Sequence, residues 1–116
     1  MMKHYKWSEV EKEQLNPNFA RRCIHSDSMT VAKVYLAKNS LIPEHSHPNE
    51  QVSVIEEGSL RFNLQGQEIV VRAGEVLRIP ANVPHSAFAL EDTVGTDIFS
   101  PPRQDWISGT DAYLRK

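Results

Sequence analysis

The chain has 116 residues, of which 40% are hydrophobic and 24% charged, and its formal net charge is -2. This length supports one domain with a hydrophobic core, so we predict a single domain over residues 1–116. The slight negative charge argues against nucleic acid as a partner, and no apolar run approaches the roughly 18 residues that a membrane span needs. The first residues lack the apolar stretch of a secretory signal, and the single cysteine, Cys23, has no internal disulfide partner, so we expect a cytoplasmic protein.

In chain order, residues 1–18 are predicted to form an arm, because Asn16-Pro17 stops the short helical turn that the charges of SEVEKEQ favour. After the arm, nearly every segment is short, rich in β-branched residues and bounded by turn residues, which is typical of strands. Gly58 and Gly66 are predicted in hairpin turns, since glycine adopts positive φ at little cost. The predicted strands are residues 19–25, 29–37, 51–56, 60–64, 68–72, 76–79, 85–90 and 94–99.

Short strands with turns about every 8 to 12 residues predict an all-β protein, a jelly-roll barrel of two antiparallel sheets. The last predicted strand ends at the proline-rich SPPRQDW. Residues 100–116 are therefore predicted to cross the surface of the barrel in extended form.

The stretch HSHPNEQ carries two histidines, His45 and His47, which would point to the same face if they lie in one strand. Two imidazoles side by side can chelate a metal. The same parity extends to Gln51, whereas Glu50 shares its face with Val52. Strand parity therefore favours the neutral Gln51 over Glu50 as a further ligand.

A third candidate ligand, His85, lies in IPANVPHSAFAL. Ala87 and Ala89 share its face in the predicted strand, and such small side chains leave room for a substrate. An isolated histidine in a β protein is more often a hydrogen-bonded residue than a ligand, and this is our interpretation of His4 and His25.

The spacing of these residues resembles the two cupin motifs. His45-Ser-His47, three residues, Gln51, six residues and Gly58 are similar to the first motif, HxH(x)3–4E(x)6G. Gly74, five residues, Pro80 and the later His85 are similar to the second, G(x)5P followed by H.

The resemblance implies the cupin fold, a double-stranded β-helix, with one divalent transition metal inside the barrel. It also places Gln51, rather than Glu50, at the carboxylate position of the first motif. The implied metal ligands are His45, His47, Gln51 and His85.

HSHPNEQ, IPANVPH and DIFSPPRQDW are similar to segments of the small cupins of pectin and alginate breakdown, which convert unsaturated monouronates to linear keto forms. In that subfamily a glutamine is the third protein ligand, and the Asp, Phe and Arg of DxFxxxR line the active site. In this sequence those positions are Asp97, Phe99 and Arg103.

The residue types leave several roles open. Three neutral imidazoles and an amide leave a divalent cation its full charge, which suits a Lewis acid that holds an anionic oxygen substrate. Asp97 could be a general acid/base or a group that orients a ligand histidine. Phe99 could simply pack in the core, and Arg103 could bind a substrate carboxylate or lie exposed on the surface.

Our leading functional prediction is a metal-dependent enzyme that opens and tautomerises unsaturated monouronates, with Asp97, Phe99 and Arg103 as the catalytic residues. The alternatives are a cupin dioxygenase that acts on an enolic substrate, and a small-molecule binding protein without turnover. The ligand set suits nickel, zinc, iron, manganese or copper. The outward-facing apolar side chains of Val52, Val54, Phe88 and Leu90 require a cover, either the N-terminal arm or a second subunit, and we predict a homodimer.

Overall fold

The fold is taken from a computed structural model that describes residues 2–116. These residues contain ten strands, which are β1 (Glu13–Asn16), β2 (Phe19–His25), β3 (Thr30–Leu36), β4 (Leu41–His45), β5 (Glu50–Glu57), β6 (Ser59–Leu64), β7 (Gln67–Arg72), β8 (Val76–Ile79), β9 (His85–Ala89) and β10 (Thr93–Ser100). One sheet has the order β1-β2-β3-β10-β5-β8 and the other β4-β9-β6-β7, and every pairing within them is antiparallel. The predicted all-β architecture of two antiparallel sheets is confirmed.

The alternation of side chains along the strands places the core between the two sheets. In β3 every second residue, from Thr30 to Leu36, is buried, and those between are half-buried. In β5 the buried residues are Gln51, Ser53 and Ile55. Within β5, the strand parity inferred from the sequence, with Gln51 facing inward and Glu50 and Val52 on the other face, is therefore the one that the fold adopts.

Two strands, β1 and β4, were not predicted. β1 belongs to the predicted arm, but it pairs with β2 at the edge of the larger sheet. β4 contains Pro43 and has an irregular register between Ile42 and His45, which is how an edge strand tolerates a proline. The predicted helical turn near the N-terminus is present as a 3-10 turn at Trp7–Glu9.

The two predicted glycine turns differ. Gln65 and Gly66 both have positive φ and join β6 to its antiparallel partner β7, which makes the predicted hairpin. Gly58 instead joins β5 of one sheet to β6 of the other, so the prediction of a hairpin there is wrong. Its φ is +83°, and a Cβ atom would contact the backbone oxygen of Asp92, so the chain can turn this corner only at a glycine.

The residues after β10 do not stay extended, in contrast to the prediction. They form α1 (Gln104–Ser108) and a 3-10 turn at Ala112–Leu114, and Trp106, Asp111 and Leu114 are buried. Trp106 and Leu114 pack against the hydrophobic core of the barrel, whereas an extended surface segment would leave them exposed. No helix within residues 2–116 has the length and apolar character required to cross a membrane.

Candidate metal centre

Three histidines from different parts of the chain meet inside the barrel. His45 ends β4 and lies opposite His85 of β9. His47 lies in the loop before β5, and not in the strand of His45 as the parity argument assumed, because Pro48 cannot continue a ladder of backbone hydrogen bonds. The loop is held by a hydrogen bond from the Asn82 nitrogen to the His47 oxygen. One ring nitrogen from each histidine lies within 4.8 Å of the other two.

Backbone carbonyls orient all three imidazoles in the same way. The Nδ1 atoms of His45, His47 and His85 lie 2.8, 3.0 and 2.8 Å from the oxygens of Pro43, Asn49 and Val83, respectively. These contacts assign the hydrogen to Nδ1, which leaves each Nε2 with a free lone pair. Carbonyl partners of this kind fix the tautomer and ring orientation of metal-binding histidines.

The three imidazoles are neutral at neutral pH. Burial lowers the pKa of both His45 and His47 to about 4, and it also lowers the pKa of His85. Neighbouring positive charge contributes in the same direction, including Arg103 for each of the three. At neutral pH the rings therefore offer lone pairs, as metal ligands must.

Gln51 faces the histidine cluster with its oxygen. Its amide nitrogen donates to the Ser53 hydroxyl at 2.9 Å, and its Oε1 lies 3.1 Å from His47 Nε2. If the hydrogen of His47 is on Nδ1, two acceptors face each other across that distance. A cation between them relieves the repulsion, and the buried His85 Nε2 likewise has no hydrogen-bond partner among the described residues. The donor set thus fits a divalent metal.

Glu50 lies outside the barrel. Its carboxylate is exposed and accepts a hydrogen bond from Arg78 Nε at 2.6 Å. The carboxylate that HSHPNEQ offers most obviously is therefore directed away from the histidines.

Asp97 and Phe99 lie two apart on β10 and line the same cavity as the histidines. Burial raises the pKa of Asp97 to about 6, although a hydrogen bond with Ser53 and the charge of Arg103 lower it in part. Ser53 also accepts a hydrogen bond from Gln51, so one hydroxyl lies beside both the carboxyl and a candidate ligand. The ring of Phe99 meets that of His47 edge to face, with 5.6 Å between centroids.

Arg103 is buried, in contrast to the alternative of an exposed surface arginine. Only 1% of it is accessible, and it too lines the cavity. Its Nε and Nη2 donate to the carboxylate of Asp105 at 2.9 and 2.8 Å, and its guanidinium stacks over the rings of Phe99 and Trp106. The buried charge is thus paired and well oriented.

The cavity is small and closed on one side by the C-terminal segment. Its volume is about 40 Å³, which holds about three water molecules. Trp106, Tyr113 and Leu114 contribute to its wall, and the ring of Tyr113 lies 4.7 Å from that of His45. Sequence reasoning did not identify these residues, because no motif includes them and the segment was expected to lie on the surface.

The comparisons with known proteins agree with this architecture. A family model described as a cupin domain matches residues 32–97. The pectin degradation protein KdgF of Dickeya dadantii is 26% identical over 110 residues, which cover 92% of this chain and 100% of that protein. The 3-hydroxyanthranilate 3,4-dioxygenase of Neurospora crassa is 27% identical over 100 residues, and the match spans only about half of that enzyme, 52%.

Among solved structures, that of KdgF from a Halomonas species superimposes with a TM-score of 0.85. The match covers 91% of this chain and 99% of that protein at 23% identity. At that identity the likeness establishes the fold.

Proposed function

The chain belongs to the cupin family, and on that basis we propose that it is a metal-dependent enzyme that converts unsaturated monouronates to linear keto forms. The observation that carries the proposal is the meeting, in one cavity, of a neutral three-histidine cluster with a carboxyl whose pKa is raised to about 6. A proton-transfer enzyme that works near neutral pH needs such a group beside its electrophile. The similarity to a pectin degradation protein along nearly the whole chain supports the choice of substrate.

In this proposal His45, His47, Gln51 and His85 hold one divalent transition metal. When bound, the metal supplies a Lewis acid that polarises substrate oxygens. The chain contributes neutral nitrogen and oxygen donors only, so the cation keeps its charge. Nickel, zinc, iron, manganese and copper all suit this donor set.

Asp97 moves the proton in the proposed reaction. Its carboxylate accepts the proton of the anomeric hydroxyl while the bond between the anomeric carbon and the ring oxygen breaks, which leaves an aldehyde and an enolate. The enolate becomes a ketone as Asp97 returns that proton to the neighbouring carbon of the former double bond. The reaction is an isomerisation, so it consumes no oxidant and releases no atom, and Asp97 ends in the state in which it began. Arg103 and Phe99 form the wall against which the substrate lies.

The test is turnover of purified, metal-loaded protein with unsaturated monouronates from pectin and alginate. The loss of the ring double bond is followed by ultraviolet absorbance and compared with the spontaneous rate. We expect turnover at the same rate with and without oxygen. Asp97→Asn should reduce kcat by about 10²–10⁴, the usual contribution of a general acid/base, at unchanged metal content. The exposed Asp27→Asn is the matched control. No acceleration above the spontaneous rate would refute the proposal.

A second candidate function is oxygen-dependent cleavage of an enolic substrate. It is favoured by the similarity to 3-hydroxyanthranilate 3,4-dioxygenases, among them the rat enzyme, which is 29% identical over 112 residues. Oxygen uptake that depends on an added enolic substrate would support this candidate over the first.

The partner of the enzyme in this proposal is a small acidic sugar.

The homodimer inferred from the sequence stays a prediction. It is supported by the outward-facing apolar residues Val52, Val54 and Phe88, which are only half-buried in the single chain. Light scattering of the purified protein would measure the mass of the assembly.

A further inference from the structure

The C-terminal segment brings three side chains with hydrogen-bond donors to one side of the cavity. We call Arg103, Trp106 and Tyr113 the C-terminal wall. All three line the cavity that contains the histidine cluster. None of the three offers a negative charge, so the wall presents donors to whatever occupies the cavity.

Arg103 has donor capacity to spare. Asp105 occupies Nε and one hydrogen of Nη2, and Tyr113 accepts a second hydrogen bond from Nη2. Its Nη1 has no hydrogen-bond partner among residues 2–116. The guanidinium lies over the rings of Phe99 and Trp106, with its central carbon 4.7 and 4.4 Å from their centroids. Its orientation is therefore set before any ligand arrives.

Tyr113 accepts through its oxygen, so its own hydrogen is free to donate. The oxygen lies 2.5 Å from Arg103 Nη2, and an arginine can only donate. The ring packs 4.7 Å from His45 and is part of the cavity lining. Tyr113 thus contacts the cationic side chain through its hydroxyl and His45 through its ring, and the hydroxyl has a hydrogen to donate to an acceptor in the cavity.

Trp106 adds a weakly paired donor. The side chain is 9% exposed and its Nε1 is buried. Its acceptor among the described residues is the Tyr113 hydroxyl, and this contact acts, against burial, to lower the pKa of Tyr113. An indole N–H can only donate, so an acceptor on a ligand would improve its pairing.

We propose that the C-terminal wall is a carboxylate-binding subsite and that Tyr113 is its specificity-determining residue. The inference rests on the proposed function for its ligand, a monouronate, and adds where the acid group binds. Three donors from a guanidinium, an indole and a phenol match the acceptors of a carboxylate and give a neutral analogue less to bind. Since Tyr113 contacts both Arg103 and His45, a carboxylate held there lies beside the histidine cluster.

The test uses Tyr113→Phe, which removes the hydroxyl and keeps the ring against His45. Tyr35→Phe is the matched control, because Tyr35 also accepts from an arginine, Arg22, but lies outside this cavity. Binding of galacturonate, a saturated uronate without the reacting double bond, and of its methyl ester is measured by titration calorimetry on metal-loaded protein. Elemental analysis of each variant reports the metal content.

We expect Tyr113→Phe to weaken galacturonate binding about tenfold or more, the usual loss for one hydrogen bond to a charged group. Binding of the methyl ester and the metal content should stay near wild type, and Tyr35→Phe should change neither. Equal losses on both ligands, or no binding of galacturonate to the wild-type protein, would overturn the subsite.

The outcomes separate this inference from the proposed function. Galacturonate binding that depends on Tyr113, without turnover of unsaturated uronates, would refute the enzymatic proposal and leave the subsite standing. Turnover of uronates together with unchanged galacturonate binding in Tyr113→Phe would refute the subsite and leave the enzyme standing.

Discussion

Gln51 and Glu50 are adjacent in sequence and have opposite surroundings. The amide of Gln51 is oriented by Ser53 towards His47, whereas Glu50 pairs with Arg78 in solvent. We expect Gln51→Ala to reduce the affinity for the metal by at least about tenfold. Loss of a residue that only hydrogen-bonds to a metal ligand already reduces metal affinity by about 10–100-fold. Glu50→Ala is the neighbouring control and should keep wild-type affinity. Metal content after dialysis against graded chelator measures both variants, and loss of metal from the Glu50 variant would contradict this assignment.

Asp97 makes the stability of the metal-free protein depend on pH. Its pKa in the folded state is raised to about 6 from 3.8, so the folded state holds this proton more tightly than the unfolded state. The stabilising contribution of the protonated carboxyl is complete below about pH 4 and is lost as the pH rises through about 6. Asparagine imitates the neutral carboxyl and avoids this loss.

We therefore expect Asp97→Asn to raise the free energy of unfolding at pH 8 by about 1–2 kcal/mol, allowing for the partial exposure of the side chain. At pH 4 the two proteins should differ little, and the titration of the histidines cancels because both proteins contain them. Urea unfolding at the two pH values measures the difference. Equal effects at pH 4 and pH 8 would show that the carboxyl is not destabilised by burial.

At the scale of elements, the C-terminal segment is attached to the barrel by a buried ion pair. Arg21 of β2 donates from Nη2 to Asp111 at 2.6 Å, and the two side chains are 1% and 0% exposed. Arg21 also pairs with Glu13 and stacks on Trp106. The position of the C-terminal segment therefore depends on a buried ion pair, and water can reach its charges only if the segment leaves the barrel.

We expect Asp111→Ala to destabilise the protein by about 3 kcal/mol, the lower end of the cost of breaking a buried pair, because Glu13 still compensates Arg21 in part. The exposed Asp27→Ala should change stability by less than about 0.5 kcal/mol. Urea unfolding of the metal-free proteins measures both. A loss below about 1 kcal/mol for Asp111→Ala would mean that apolar packing alone holds the segment.

A strand or helix can be predicted from the sequence when its own residues carry the pattern, and not when it depends on contacts with distant residues. The eight predicted strands carry their own alternation, and each overlaps an observed one, since a pleated strand with one buried face dictates period two. β4 was not predicted because Pro43 interrupts a five-residue strand. β1 was not predicted because it depends on pairing with β2 and on contacts with the distant Leu114 and Arg115. The helical turn of the C-terminal segment is stabilised by contacts some 90 residues away in sequence, which local patterns do not contain.

For the molecule as a whole, the same distinction separates the histidine cluster from the C-terminal wall. His45, His47 and Gln51 are close in sequence and their spacing is diagnostic, so the histidine cluster could be predicted together with the fold. Trp106 and Tyr113 have no fixed spacing to the motifs, and they reach the cavity only through the tertiary course of the last residues. Their part in the site could be seen only in the folded chain.

The histidine cluster and the C-terminal wall of the cavity thus come from two different parts of the chain. The histidine cluster belongs to the barrel strands and the loop before β5, whereas part of the cavity wall comes from the last fourteen residues, 103–116. A different tail would change the cavity wall and leave the histidine cluster in place. We expect related proteins to differ in substrate through changes in their C-terminal segments. In protein design, C-terminal segments could be exchanged between related barrels for the same purpose.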